Sequence, residues 1–204
     1  MIKAIIFDVG DVLLKVDRNK LYKKFSKLNK MPVENMRGRY TPFIEKYYDS
    51  GLLSTQEFYH RSIKMLRLDI SKKKFFKIWE TYLIPLWENI RLLKKLSKSY
   101  TIMALANTNE RDYMDIKRKY KLFGIKLELY IASYKLKIKK PNKKIYLYAL
   151  KKSGYKAEEC LFIDDKIENV KAAKSLGINA IHYKSYRQLL KEMKGLGIDI
   201  NGTN

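Results

Sequence analysis

With one cysteine, Cys160, among 204 residues, the chain has no disulfide framework to brace it. No CxxC pair or Cys/His cluster offers a zinc site either. A lone thiol fits a reducing, cytoplasmic setting. Long apolar runs are missing as well. Lys3 and Asp8 interrupt the one stretch that could serve as a signal segment, and nothing approaches the roughly 20 residues a bilayer span needs, so no membrane partner is expected. Internal repeats and low-complexity linkers are absent. Negative charge is scarce: 21 acidic residues against 44 basic ones leave a formal charge of +23. That surplus would attract phosphorylated metabolites, nucleic acid or acidic membranes. The lysines, however, are spread from Lys3 to Lys194 and outnumber the arginines, as in a compositionally biased genome. No arginine-rich tail or RNP-like aromatic motif occurs, which disfavours nucleic acid as a partner.

What is present suffices for a real core: 46% hydrophobic and 13% aromatic residues, in a length that suits one domain with a modest insertion. Ile5 to Leu14 opens as an apolar run, the pattern of a buried parallel strand. It runs into Asp8 and then Gly10. An aspartate there can attack an electrophile or hold a metal, or it can simply belong to a strand-end turn. From about Val16 to Leu86 the apolar spacing is helical, with no strand signal. Asn19 to Asn29 carries one stripe. Val33 to Asp49 carries another, disturbed near Pro42. Ser54-Thr55-Gln56-Glu57 is a capping box, and Ser71 caps a further helix running up to Pro85. From Ile90 onward the pattern alternates. Strands are expected at Tyr100–Ala106, Leu127–Ile131, Cys160–Ile163 and Asn179–Tyr183, separated by helices. That alternation predicts an α/β fold, a Rossmann-like parallel sheet with helices on both faces. A small all-helical cap would be inserted after the first strand. The expected division is residues 1–15 and 87–204 for the core and 16–86 for the cap.

Three predicted strands end in polar residues: Asp8, Asn107-Thr108-Asn109, and Asp164-Asp165. A loop with Lys139-Lys140-Pro141 lies between the last two. In a parallel sheet these ends share one edge, where ligands bind. Asp8, Asp164 and Asp165 together would suit Mg²⁺, because clustered carboxylates repel one another without a cation. The Asp164-Asp165 pair could also be an ordinary helix cap. Lys140 would offset the charge of an incoming phosphate. A lysine and a magnesium ion supply the charge neutralisation that phosphoryl transfer needs.

The order of these segments resembles the haloacid dehalogenase superfamily over nearly the whole chain. Phe7-Asp8-Val9-Gly10-Asp11-Val12-Leu13 resembles the opening motif of its FDxGxVL-type phosphatase branch. Leu105 to Asn109 resembles the second motif, and Lys140 to Tyr146 the lysine motif. Phe162 to Val170, followed by Ala172-Ala173 and Leu176-Gly177, is the most specific match. The resemblance implies a Mg²⁺-dependent phosphatase of a small phosphorylated metabolite. Asp8 would be the nucleophile, forming an aspartyl phosphate. Asp8, the Gly10 carbonyl, Asp165 and Asp164 would hold the metal. Lys140 would bridge Asp8 and the phosphate, Asn107 would donate to the phosphate, and Asn169 would orient the acidic loop. The helical insertion would close over the site as a cap.

Two positions depart from the pattern. Gly10 stands where the superfamily's phosphatases usually carry a second aspartate as general acid and base, a contribution of roughly 10²–10⁴ in rate, although the FDxGxVL branch commonly has glycine there too. Asp11 is adjacent, but one step along the turn its side chain should point elsewhere. Ala106 stands where the family has a serine or threonine, and Thr108 is the nearby hydroxyl that could replace it. Both changes point to a slow or specialised enzyme. Two other readings stay open: a fold that has lost catalysis and binds a phosphorylated ligand, a protein or nucleic acid, and a carbon–halogen hydrolase. The retained acidic pair favours phosphate chemistry over the latter. Tyr47, Tyr48 and Tyr59 either line a substrate pocket or belong to the cap's own core.

Overall fold

Residues 5–7 have no polar face because both sides of their sheet are covered. Side chains alternate across a strand, and here the two sets enter two different cores. Ile5 and Phe7 pack into one with Ile102, Ala104, Leu161 and Ile163. Ala4 and Ile6 pack into the other with Met103, Leu105, Cys160 and Phe162. The computed structural model describes residues 1–122 and 124–200, leaving aside the side chains at 120 and 122; positions 123 and 201–204 of the expected core lie outside the described residues.

In chain order the elements are β1 (Ala4–Phe7), β2 (Leu14–Val16), α1 (Arg18–Asn29), α2 (Val33–Phe43), α3 (Thr55–Leu66), α4 (Lys72–Trp79) and β3 (Leu83–Pro85). There follow α5 (Trp87–Leu96), β4 (Thr101–Ala106), α6 (Glu110–Leu122), β5 (Leu129–Ala132), α7 (Ser133–Leu136), α8 (Lys143–Ser153), β6 (Cys160–Asp164), α9 (Ile167–Lys174), β7 (Asn179–His182) and α10 (Tyr186–Gly195). The main sheet has the order β5-β4-β1-β6-β7, and all its pairings are parallel. β1 lies at its centre, so the ends of β1, β4 and β6 fall side by side. This is the Rossmann-like α/β architecture that the alternating pattern predicts.

The stretch from Val16 to Leu86 differs from its all-helical reading in one respect. β2 and β3 pair antiparallel, Leu14 with Pro85 and Val16 with Leu83, so a short ribbon joins the helical segment to the sheet. Strands of three residues carry no periodicity of their own; they form because each supplies the other's hydrogen bonds. The disturbance near Pro42 is also resolved. After α2 the chain widens into a π-helical turn over Ile44–Tyr48, a form that often accompanies function. Ser54 makes its expected capping box with Glu57, and Ser71 caps α4.

The helical segment has an aromatic interior. Tyr48 stacks on Phe58 with ring centroids 3.8 Å apart, Phe25 stacks on Phe75 at 5.1 Å, and Trp79 meets Phe58 edge-on at 5.0 Å. Tyr48 is fully buried, Tyr47 is partly buried against the same cluster, and Tyr59 donates its hydroxyl proton to the Ile70 carbonyl. These three tyrosines belong to the segment's own packing. Among the described residues no helix is long and apolar enough to cross a membrane.

Candidate active site

Asp8 directly follows β1 and remains in its ladder, its N–H donating to the Ile163 carbonyl at 2.8 Å. Its carboxylate is anchored through one oxygen. Oδ1 accepts from the Val9 N–H at 2.7 Å and lies 2.8 Å from the Lys140 ammonium. Among the described residues no hydrogen bond falls on Oδ2, and Asp8 lines a cleft of about 320 Å³. Burial pushes the Asp8 carboxyl up to about 7; the Lys140 ammonium pulls it down and Asp164 pushes it further up.

Lys140 is buried. Its three N–H groups go to Asp8, to Asp164 Oδ2 at 2.6 Å and to the Leu105 carbonyl at 2.8 Å. Burial opposes the ammonium charge, but the two carboxylates outweigh it and raise its pKa. The lysine thus joins Asp8 to Asp164; a direct bond to phosphate would require exchanging one of these partners. Asp164 is fully buried, and its Oδ1 accepts from the Lys166 N–H at 2.9 Å and from Asn169 Nδ2 at 2.8 Å. Asn169 therefore orients the acidic loop. The Asp165 carboxyl is raised by burial and by its neighbours Asp164 and Asp11.

Carboxylate oxygens of Asp8, Asp164 and Asp165 lie within 4.8 Å of one another. Three carboxylates against one ammonium leave a cluster two charges negative, made of hard oxygen donors. That donor set fits a hard divalent cation such as Mg²⁺.

The remaining sequence-predicted residues divide. Gly10 lines the cleft; a β-carbon there would stand 3.3 Å from Val16 Cγ2, so the space a side chain would take is already tight. Asn107 also lines the cleft, and its amide grips the Lys140 backbone, accepting from its N–H at 2.9 Å and donating to its carbonyl at 3.0 Å. Thr108 is buried and lies with Gly10 and Ala106 around a smaller adjoining cavity of about 60 Å³. Its N–H donates to Ser133 Oγ at 2.9 Å. Asp11 occupies a left-handed turn, φ 52°, and its carboxylate accepts from the Val16 N–H at 3.0 Å.

The sequence reading missed the opposite wall. Arg18, Glu45 and Asp49 all line the cleft. Arg18 reaches Glu45 at 2.6 Å and Asp49 at 3.2 Å. Lys139 crosses from the sheet side to donate to the Glu45 carbonyl at 2.9 Å. The available signal was the break near Pro42, since the π turn that follows it carries Glu45 and leads into Asp49.

A family model described as haloacid dehalogenase-like hydrolase matches residues 2–177. The chain belongs to the haloacid dehalogenase-like hydrolases. It is 27% identical over 197 residues to a D-ribitol-5-phosphate phosphatase of Bacteroides thetaiotaomicron, covering 87% of this chain and 89% of that one. A solved HAD family enzyme from the same organism, an aspartate-to-alanine variant in complex with magnesium and inorganic phosphate, superposes with a TM-score of 0.78 at 27% identity. That superposition covers 93% of this chain and 99% of the other. A predicted HAD-like family hydrolase from Porphyromonas gingivalis gives a TM-score of 0.77 at 25% identity over 96% and 98% of the two chains.

Proposed function

We propose that this chain is a Mg²⁺-dependent phosphatase that hydrolyses a small phosphorylated metabolite through an aspartyl phosphate on Asp8. The observation that carries the reading is the Asp8 carboxylate itself. One oxygen is tied to the chain and to Lys140, and its twin takes no hydrogen bond from the described residues, in a polar cleft beside two more carboxylates. Such a group is oriented for attack yet not consumed by its partners. Asp8, Asp164, Asp165 and the Gly10 carbonyl would hold Mg²⁺, which when bound supplies charge for the phosphoryl oxygens. Lys140 joins Asp8 to Asp164, opposes the burial that raises the Asp8 carboxyl, and adds positive charge beside the transferring group. Asn107 fixes the Lys140 loop and has a second amide proton for the phosphate, while Thr108 lines the smaller adjoining cavity. The helical segment acts as the cap that excludes water and selects the leaving group. A cleft of about 320 Å³ with a charged wall suits a small hydroxylated phosphate ester, and the ribitol-phosphate phosphatase relative supports that class. Neither nucleic acid nor membrane is needed as a partner, and the reaction belongs in the cytoplasm.

The test is phosphate release from a panel of small phosphate esters, sugar-alcohol phosphates included, with and without Mg²⁺. Asp8→Asn should cut metal-dependent turnover by at least about 10⁴-fold and leave the fold intact. Full turnover in that variant would remove Asp8 from the mechanism. No release by the natural chain from any ester would favour the reading of a phosphate-binding protein without catalysis.

A further inference from the structure

Gly10 removes the carboxylate that would protonate the leaving oxygen, and the space it vacates is partly taken by Val16. Three other carboxylates, apart from the metal cluster, line the cleft: Asp11, Glu45 and Asp49. Asp11 is turned back onto the Val16 N–H. Glu45 is more than half exposed and holds the shorter of the two Arg18 contacts. Asp49 differs from both. It is buried, and it borders both the cleft over Asp8 and the smaller cavity lined by Gly10 and Ala106. Those two residues are the ones that depart from the family pattern.

We propose that Asp49, delivered by the cap's π turn, is the proton donor and acceptor that Gly10 lacks. The inference rests on the phosphatase reading above. In the first step Asp8 Oδ2 forms a bond to phosphorus, the bond from phosphorus to the leaving oxygen breaks, and the Asp49 carboxyl passes its proton to that oxygen. In the second step Asp49, now a carboxylate, takes a proton from water as its oxygen bonds to phosphorus. The Asp8–phosphorus bond breaks, phosphate leaves, and both aspartates return to their starting states.

The placement of Asp49 is over-determined. The backbone carbonyl accepts from the buried Ser133 Oγ at 2.9 Å, and Oδ1 accepts from Asn109 Nδ2 at 2.9 Å. Both partners belong to the sheet domain, so the group is in place only when the cap is docked. Burial raises the Asp49 carboxyl, while Arg18, the Asn109 amide and Lys139 pull it down and Glu45 pushes it up. Asp112, Tyr82 and Tyr22 are the other charged and titratable groups that face it. Arg18, shared between Glu45 and Asp49, lets the proton leave without stranding a bare buried anion.

The experiment compares Asp49→Asn with the natural full-length chain in Mg²⁺, using p-nitrophenyl phosphate and a sugar-alcohol phosphate. Loss of a general acid matters most for a poor leaving group. The expected result is a fall in kcat/KM of roughly 10²–10⁴ on the alkyl ester and of less than about tenfold on the aryl ester. The aryl ester should also give a burst of p-nitrophenol followed by slow turnover, because water activation has lost its base. Equal losses on both esters, or none on the alkyl ester, would overturn the proposal and reduce Asp49 to a cap latch. If the variant does not fold, the natural chain decides on a series of esters of graded leaving-group pKa. A nearly flat dependence of kcat/KM supports an acid in the site, and a steep one overturns it. No Mg²⁺-dependent release by the natural chain from either ester would defeat the phosphatase reading itself, a failure distinct from equal losses in the variant.

Discussion

The strand ends and the cap are built on opposite plans. At the strand ends the polar groups are few, charged and mostly engaged: Lys140 donates three bonds and Asp164 accepts three, while Asp8 keeps Oδ2 clear of hydrogen bonds from the described residues. The helical segment is held by stacked and edge-on aromatic rings among Phe25, Phe58, Phe75 and Trp79, and places Arg18, Glu45 and Asp49 along the rim that faces the cleft. Fixed charges in a dry site stabilise a reaction without having to reorganise. Apolar packing tolerates a changed rim. On the readings proposed above, reaction chemistry would fall to the sheet, and leaving-group choice and proton transfer to the helical segment.

Beyond the loss expected for Asp8→Asn, the largest effect that separates the two regions is on stability. Phe58→Ala removes the ring at the centre of the cap cluster and should cost about 3–5 kcal/mol, read by urea unfolding, while leaving the strand-end cluster able to bind Mg²⁺. Loss of Mg²⁺ binding in a still-folded variant would break the division. Next is the pH dependence of the seam between the regions. Asp112 accepts from Trp79 Nε1 at 2.8 Å, from Asn109 Nδ2 at 2.7 Å and from the Tyr82 hydroxyl, and burial pushes its carboxyl up to about 6. The unfolded carboxyl titrates near 4, so between these values the folded chain holds a proton that the unfolded chain has lost. This contribution to stability is present below pH about 4 and disappears as pH rises through about 6, at about 1.4 kcal/mol per unit of displacement. Asp112→Asn should flatten that part of the slope in unfolding curves taken across the window, and an unchanged slope would count against it. The smallest effect lies within the strand-end cluster. Asn169→Ala removes one of the two donors to Asp164 Oδ1, leaving the Lys166 N–H, and should weaken Mg²⁺ binding about 10–100-fold, measured by calorimetric titration, with little change in the stability of the helical segment. Unaltered affinity would mean that Asp164 needs no such support.

Much of the sheet was legible because its signals are local. An apolar run and the polar residue ending it are neighbours in the chain, and a buried strand shows no alternation because both its faces are covered. Asp8, Asn107, Lys140, Asp164 and Asp165 could therefore be picked out one turn at a time. The β2–β3 ribbon could not, since Leu14 and Pro85 have meaning only as a pair. Nor could the use of the Lys140 ammonium, whose three acceptors come from three different strand ends.

By itself the sequence determined the α/β order, the carboxylates and lysine gathered at one sheet edge, and the two positions where the family pattern fails. Only the tertiary structure decided what stands opposite them. Arg18 and Asp49 are 31 residues apart, Asp49 follows a π turn with no periodic signature, and its carboxylate is held by Asn109 from beyond the cap. A group whose position depends on three segments leaves in the sequence no more than the break near Pro42, and long-range packing brings it to the cleft.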